Sequence, residues 1–303
     1  MTSAPLRLCC RLSLCLVING TLGGASFAAQ PYPFSLTSES VDGGQHIVAR
    51  NRGPAPVSVR LALTERENIR SSHFMPIYAV IRPHSQVALL RVTPAHAGKP
   101  HHFVSETTYS TGNYRAQHDA TALYRLPFEN DRRFAIGQSH DGPRLTHHSP
   151  DSEFAVDFTM PENTPVVAAR DGVVIETEAR HKFGGTARDL LTEANFVRLL
   201  HADDSIATYA HLAPGGVHVM PGQQVTAGML IGRSGATGYA RGPHLHFVVH
   251  QLMGSGTGFR QISVPLRFYA GNPPRTFAAR YGETLTADYS PSGVSVRGVA
   301  PTP

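Results

Sequence analysis

In the eight residues Gly242-Pro243-His244-Leu245-His246-Phe247-Val248-Val249, imidazoles and large apolar side chains take turns. Side chains of a β-strand alternate between faces, so His244 and His246 point one way while Leu245, Phe247 and Val249 point the other. A segment of this kind needs a sheet with a packed core on one side and an open face on the other. Turn-forming residues deliver the chain into it, first Gly235-Ala236-Thr237-Gly238-Tyr239 and then Arg241-Gly242-Pro243. The rest of the chain agrees with a β architecture. Its 28 Gly and 23 Pro punctuate short Val-rich runs and favour many short strands over a helical bundle. At 303 residues it has room for one large domain or two ordinary ones.

Residues 1–28 read as a secretory signal peptide. Arg7 and Arg11 form the positive region, residues 12–18 the apolar run, and Ala25-Ser26-Phe27-Ala28-Ala29 a small-residue cleavage site, placed after Ala28. The apolar run is too short to span a bilayer comfortably, so no stable membrane anchor is expected after cleavage. The protein is expected to be exported, to the periplasm in preference to the medium. All three cysteines (Cys9, Cys10, Cys15) lie in this leader, so the mature chain has no disulfide and no thiolate ligand for a metal. The leader holds two Arg and no acid, and its loss lowers the net charge from +5 to +3. No basic run is interleaved with aromatics, and nucleic-acid binding is not expected.

Residues 31–128 show period-two alternation. Over residues 57–64 the large apolar side chains fall on one face and the polar ones mostly on the other. Residues 45–50, 77–82, 87–92 and 102–106 are further strand candidates, separated by Pro-containing punctuation, and together they predict a β-sandwich of immunoglobulin-like style. Its seven histidines (His46, His73, His84, His96, His101, His102, His118) sit in no spacing that suggests a site. A boundary is expected at 127–133. Residues 133–270 then alternate strands with Gly-rich loops, including a hairpin of residues 196–201 and 205–212 across Ala202-Asp203-Asp204. Residues 271–303 read as a C-terminal extension, flexible beyond about 285.

With 17 His in the chain, about one His-x-His pair arises by chance, so the pair alone is a weak motif. Its surroundings give it weight. Two imidazoles on one strand face make half a zinc site, and a carboxylate and another His can complete it. Asp157, between Val156 and Phe158, points opposite to those apolar neighbours, and a His147-His148 pair lies upstream.

Five blocks then occur in order. They are the stretch from Phe154 through Val156-Asp157-Phe158 to Pro165-Val166, Ala168-Ala169-Arg170-Asp171-Gly172-Val173-Val174, Asn195-Phe196-Val197-Arg198, Tyr209-Ala210-His211-Leu212, and Thr237-Gly238-Tyr239-Ala240-Arg241-Gly242-Pro243-His244-Leu245-His246-Phe247. Over residues 133–268 the chain thereby resembles the lysostaphin-type, LytM-like zinc peptidases (peptidase family M23), which cut peptide bridges in bacterial cell walls.

The resemblance implies a two-sheet catalytic domain of duplicated-hybrid-motif style over residues 133–270, so that with the N-terminal β-sandwich-like domain the protein is expected to be all-β. It implies one Zn2+ per chain held by His148, Asp157 and His246, with water at the fourth position, and His211 and His244 as non-ligand catalytic histidines. One of these would move the proton and the other would stabilise the oxyanion; the sequence does not say which. In the common family pattern the first ligand stands four residues before the Asp, where this chain has Glu153; His148 stands nine positions before Asp157. His147 is the alternative ligand and Glu153 a third choice. Tyr209, two residues before His211, either reaches the site or packs.

The function implied is that of an exported zinc metalloendopeptidase acting on peptidoglycan peptides. The alternatives are a non-catalytic regulator that activates other wall hydrolases, and a metal- or wall-binding module. Residues 183–192 read as an insertion walling the groove. The N-terminal domain would position substrate, cover the groove or bind an envelope protein partner. Which peptide bond is cut stays open.

Overall fold

The computed structural model describes residues 32–143, 146–271 and 273–289, and the backbone of 6–10. Of the leader expected over residues 1–28, everything except the strand Leu6–Cys10 lies outside the described residues, as do residues 290–303. Among the described residues the ordered elements are strands apart from one 3-10 turn, Arg188–Thr192. Among the described residues no helix is long and apolar enough to cross a membrane.

Two four-stranded antiparallel sheets build the N-terminal sandwich. One runs Leu6–Cys10, His102–Thr111, Val57–Glu67, Ile77–Ile81; the other runs Phe34–Val41, Gly44–Asn51, Ser85–Pro94, Ile69–Ser71. The alternation seen in sequence is the reason for their pairing. Val57, Val59, Leu61 and Leu63 turn inward from the first sheet and meet Ile47, Ala49, Leu90 and Val92 of the second in one buried cluster.

The C-terminal domain is organised by one large sheet. Its main path runs Gln224–Val225, Gly172–Glu178, Asn195–Leu200, Ile206–Val217, His244–Ser255, Val156–Thr159, Arg133–Gln138, Thr284–Thr286. Pro165–Val167 and Leu230–Ser234 branch from it, and Gly258–Ser263 extends the His244–Ser255 hairpin. One face of the sheet is packed. Phe158, Val197, Leu199, Tyr209, Leu245 and Phe247 are fully buried there, against Tyr124, Phe128, Val166 and Phe268. Each such large apolar side chain contributes about 1.5–3 kcal/mol by leaving water.

Two stretches differ from the sequence expectation. Ala122, Tyr124, Leu126 and Phe128 lie in the core of the C-terminal domain, and Tyr124–Arg125 pairs in parallel with Phe268–Ala270, so this domain begins before the boundary expected at 127–133. The period-two pattern of these residues says strand, but not which core receives it. The C-terminal extension is folded through residue 289. Thr284–Thr286 pairs with Arg133–Gln138, Arg275–Phe277 pairs with Phe268–Ala270, and the Tyr289 hydroxyl donates to the Tyr269 carbonyl at 2.9 Å. Strands of three residues leave too little periodicity to be read from sequence.

The sandwich sits against residues 203–206 and 251–259. Gln251 Nε2 donates to the Ala116 carbonyl (2.6 Å), Thr108 Oγ1 to that of Thr257 (3.0 Å), and Tyr78, Tyr114 and Phe259 form an aromatic cluster. These contacts gather at the Ser255 end of the long strand. His244 and His246 lie at the other end.

Candidate metal centre

Register brings two of the candidate ligands together. Val156–Thr159 runs antiparallel to His244–Ser255 with Asp157 opposite His246, Phe158 opposite Leu245 and Thr159 opposite His244. Phe158, Leu245 and Phe247 are fully buried on the core face. The same alternation therefore places Asp157, His244 and His246 together on the other face. His246 Nδ1 lies 2.9 Å from Asp157 Oδ1, and His147 Nε2 lies 3.3 Å from the same oxygen. One ligand atom from each of the three residues falls within 4.8 Å of the others, a group that could hold a metal ion.

His147, and not His148, occupies this place. His147 is 2% exposed, whereas His148 lies on the outside. Neighbouring side chains in extended chain point apart, so one of the pair is turned away. The choice is made by Thr146, whose N–H donates to Gln138 Oε1 (2.9 Å) and whose hydroxyl accepts from Gln138 Nε2 (2.8 Å). Glu153, the third candidate, faces His140 at 3.8 Å.

Gln138 also donates from Nε2 to Asp157 Oδ2 at 2.9 Å, and it escaped the sequence reading for a physical reason. In sequence it is in phase with Phe134 and Ile136, which pack in the core. A bulge at Gly137 resets the phase, so Ile136 pairs with Phe158 on the core side and Gln138 with Asp157 on the site side. A Cβ at Gly137 would lie 2.6 Å from Thr159 Oγ1, which fits the glycine there.

Burial pushes the Asp157 carboxyl up, but the hydrogen bonds from His147 and His246 outweigh it and hold the group well below the usual carboxylate range. The carboxylate is ionised at neutral pH.

His211 and His244 complete the cluster. Their ring centres are 4.6 Å apart, and His211 is 5.8 Å from His246. His211 has φ of 61°, in the left-handed region, within a long strand. That kink breaks the alternation with Tyr209. Tyr209 stays in the core, packed on Phe247 with its hydroxyl accepting from Ala169 N–H at 2.8 Å, while His211 turns to the site. Of the two readings of Tyr209, packing describes where it lies.

Each catalytic candidate spends one ring nitrogen on a backbone carbonyl. His211 Nδ1 is 2.7 Å from Thr237 O, and His244 Nδ1 is 2.9 Å from Gly242 O. Carbonyls only accept, so Nδ1 carries the proton in both rings and Nε2 of the neutral ring is a lone pair. Burial first, and then His244 and His246, push His211 down to about 3, so it is neutral near pH 7. Thr237 is itself held: its hydroxyl donates to Leu212 O (2.7 Å) and accepts from Asn195 N–H (3.0 Å), and Asn195 Nδ2 reaches His181 O (2.8 Å). The insertion adjoins this network, with Gly184–Gly185 paired in parallel to Gly238–Tyr239.

Residues 152–258 match the description Peptidase family M23, a span that contains Asp157, His211, His244 and His246 but begins after His147. Over 130 residues the chain is 36% identical to the peptidoglycan DD-endopeptidase ShyA of Vibrio cholerae, an alignment covering 42% of this chain and 26% of that protein. Over 142 residues it is 38% identical to the glycyl-glycine endopeptidase ALE-1 of Staphylococcus capitis, covering 47% of this chain and 34% of that protein. The chain thus spans about a quarter to a third of the length of these relatives. Among solved structures, the catalytic domain of the antimicrobial peptidase lysostaphin from Staphylococcus simulans is 31% identical, covers 38% of this chain and 79% of that one, and superposes with a TM-score of 0.30. The family resemblance read from the five sequence blocks is borne out for this segment.

Proposed function

We propose that the chain is an exported zinc metalloendopeptidase that hydrolyses peptide bonds of bacterial peptidoglycan. The observation that carries this reading is the convergence of His147 Nε2, Asp157 Oδ1 and His246 Nδ1, with a second pair of imidazoles facing the same place. The donor set suits zinc: two imidazole nitrogens and one ionised carboxylate, with no fourth protein ligand in the group, the open arrangement of catalytic sites. His147, Asp157 and His246 would hold the ion, His147 taking the place expected of His148. When bound, zinc polarises a scissile carbonyl and acidifies water.

The chain's own residues supply the rest. Gln138 fixes the second oxygen of Asp157, so Oδ1 stays directed at the two imidazoles. His244 presents its Nε2 lone pair to the site, 4.0 Å from Asp157 Oδ2. His244 is therefore the proton carrier, taking a proton from the attacking water at Nε2 and returning it to the leaving amine. His211, kept neutral and tied to Thr237, accepts a hydrogen bond at Nε2 and orients the water or a substrate amide.

The names of the relatives, peptidoglycan DD-endopeptidase and glycyl-glycine endopeptidase, support the substrate class and leave two bond types in play. Digestion of purified peptidoglycan by the mature chain with zinc, beside His246→Ala, tests the reading by mass spectrometry. New fragments absent from the control are expected, and their termini identify the bond. No fragments from either directly cross-linked or Gly-bridged wall would move the reading to a non-catalytic activator of other wall hydrolases.

A further inference from the structure

We infer that His250 and Ser263 form a clamp that sets the position of His147, and are positioning residues for the metal centre; the inference rests on the zinc-site reading above. His147 reaches Asp157 from a loop and not from a strand, so its place depends on what holds residues 146–155. Upstream the loop is pinned by Gln138 on Thr146. Downstream, two successive carbonyls are gripped. Pro150 O accepts from Ser263 N–H (2.8 Å) and from Ser263 Oγ (2.9 Å), and Asp151 O accepts from His250 Nε2 (2.7 Å). Ser263 Oγ also accepts from Phe154 N–H at 3.1 Å, three residues before Asp157.

The two clamp residues are direct cross-strand partners, His250 opposite Ser263, and both are buried. His250 lies four residues beyond His246 on the same strand face. One strand therefore supplies a ligand and also holds the loop that carries another. A carbonyl only accepts, so His250 Nε2 carries the ring proton. Burial, followed by the nearby Arg198, pushes His250 down to about 4, and it grips Asp151 O as a neutral donor. Its other nitrogen, Nδ1, is buried with no partner among the described residues.

The test is the affinity of the full chain for Co2+ and Zn2+, read from Co2+ absorption and chelator competition well below the melting temperature. Wild type should take one equivalent and Asp157→Ala none. His250→Ala should bind about 10–100-fold more weakly, as loss of groups that orient ligands usually costs. Ser263→Ala keeps its backbone N–H on Pro150, so its loss should be smaller, roughly 3–10-fold on the same scale. His250→Gln, whose side-chain amide can donate to Asp151 O, should recover most of the affinity. If His250→Ala does not fold, Ser263→Ala and His250→Gln decide. Unchanged affinities with only lower melting temperatures would overturn the clamp while leaving the metal centre intact. A wild-type chain that takes up no metal would overturn both.

Discussion

Asp157 and Asp203 belong to the same domain, both are largely buried, and both touch histidine, yet their surroundings differ in kind. Asp203 sits in the turn between Asn195–Leu200 and Ile206–Val217 and is enclosed by donors. Oδ2 takes Arg170 Nη1 (3.1 Å), His118 Nδ1 (3.2 Å) and Asp119 N–H (3.1 Å), and Oδ1 takes Ser205 N–H (3.3 Å) and Oγ (2.7 Å). Burial raises its carboxyl, and these hydrogen bonds outweigh burial and hold it far below the usual range. Nothing there calls for a further ion. Asp157 has one amide donor on Oδ2 and two imidazoles converging on the single oxygen Oδ1. Imidazole nitrogens bear either a proton or a lone pair, so two of them meeting at one carboxylate oxygen suit a cation between the three atoms. A buried carboxylate ringed by fixed donors is a structural tie. One that shares an oxygen with several imidazoles is a metal-site candidate.

Substituting each aspartate tests that contrast most directly. Asp157→Ala should abolish metal binding and hydrolysis while the chain stays folded, measured by metal content and fragment release. Asp203→Ala should leave one equivalent of metal bound but lower unfolding free energy by about 3–5 kcal/mol, because Arg170 loses its buried partner. If Asp203→Ala lost metal and Asp157→Ala lost only stability, the comparison would be the wrong way round.

Between these extremes, His244→Ala should lower kcat by about 10²–10⁴-fold with Co2+ affinity little changed, as expected for a proton carrier that is not a ligand. An equal loss of Co2+ affinity would instead make His244 a ligand.

Acid sharpens the contrast further. His201, next to the Asp203 turn, donates from Nδ1 to Asp171 O, and burial pushes it down to about 4; His250 behaves alike. Both stay neutral in the folded chain while the unfolded chain takes protons below about 6.5, so the unfolded state binds more protons between about 4 and 6.5. Stability is full above that window and should fall as pH drops through it, by on the order of 3 kcal/mol for each histidine. The Asp203 ties are lost only at lower pH, since a depressed carboxyl protonates after the unfolded one. Urea unfolding of the metal-free chain at pH 7, 5 and 4 measures this. A flat profile down to pH 4 would show these histidines to be as accessible folded as unfolded.

A smaller effect is expected at Gln138. Gln138→Ala frees Asp157 Oδ2 and should weaken Zn2+ binding about 10-fold, read by chelator competition. No change would show that the bond from Gln138 to Asp157 Oδ2 does not hold the site.

Much of the site was legible because strand alternation is covalent geometry. Val156-Asp157-Phe158 and His244-Leu245-His246-Phe247 each state which side chains share a face, and pairing Phe158 with Leu245 on the core face puts Asp157 beside His246. What defeated the reading was every place where alternation is interrupted. The bulge at Gly137 carries Gln138 to the site face, the left-handed φ at His211 separates it from Tyr209, and the short strand Thr284–Thr286 finds its partner in the distant strand Arg133–Gln138.

By itself the sequence determined an all-β chain with a core face and a polar face, and the family resemblance singled out four residues that the structure brings together: Asp157, His211, His244 and His246. Only the tertiary structure decided that His147, and not its neighbour, meets Asp157. Two adjacent residues of one type are equivalent to any local rule. The choice between them is made by contacts from Gln138, His250 and Ser263, which reach the loop from as far as 113 residues away in the chain.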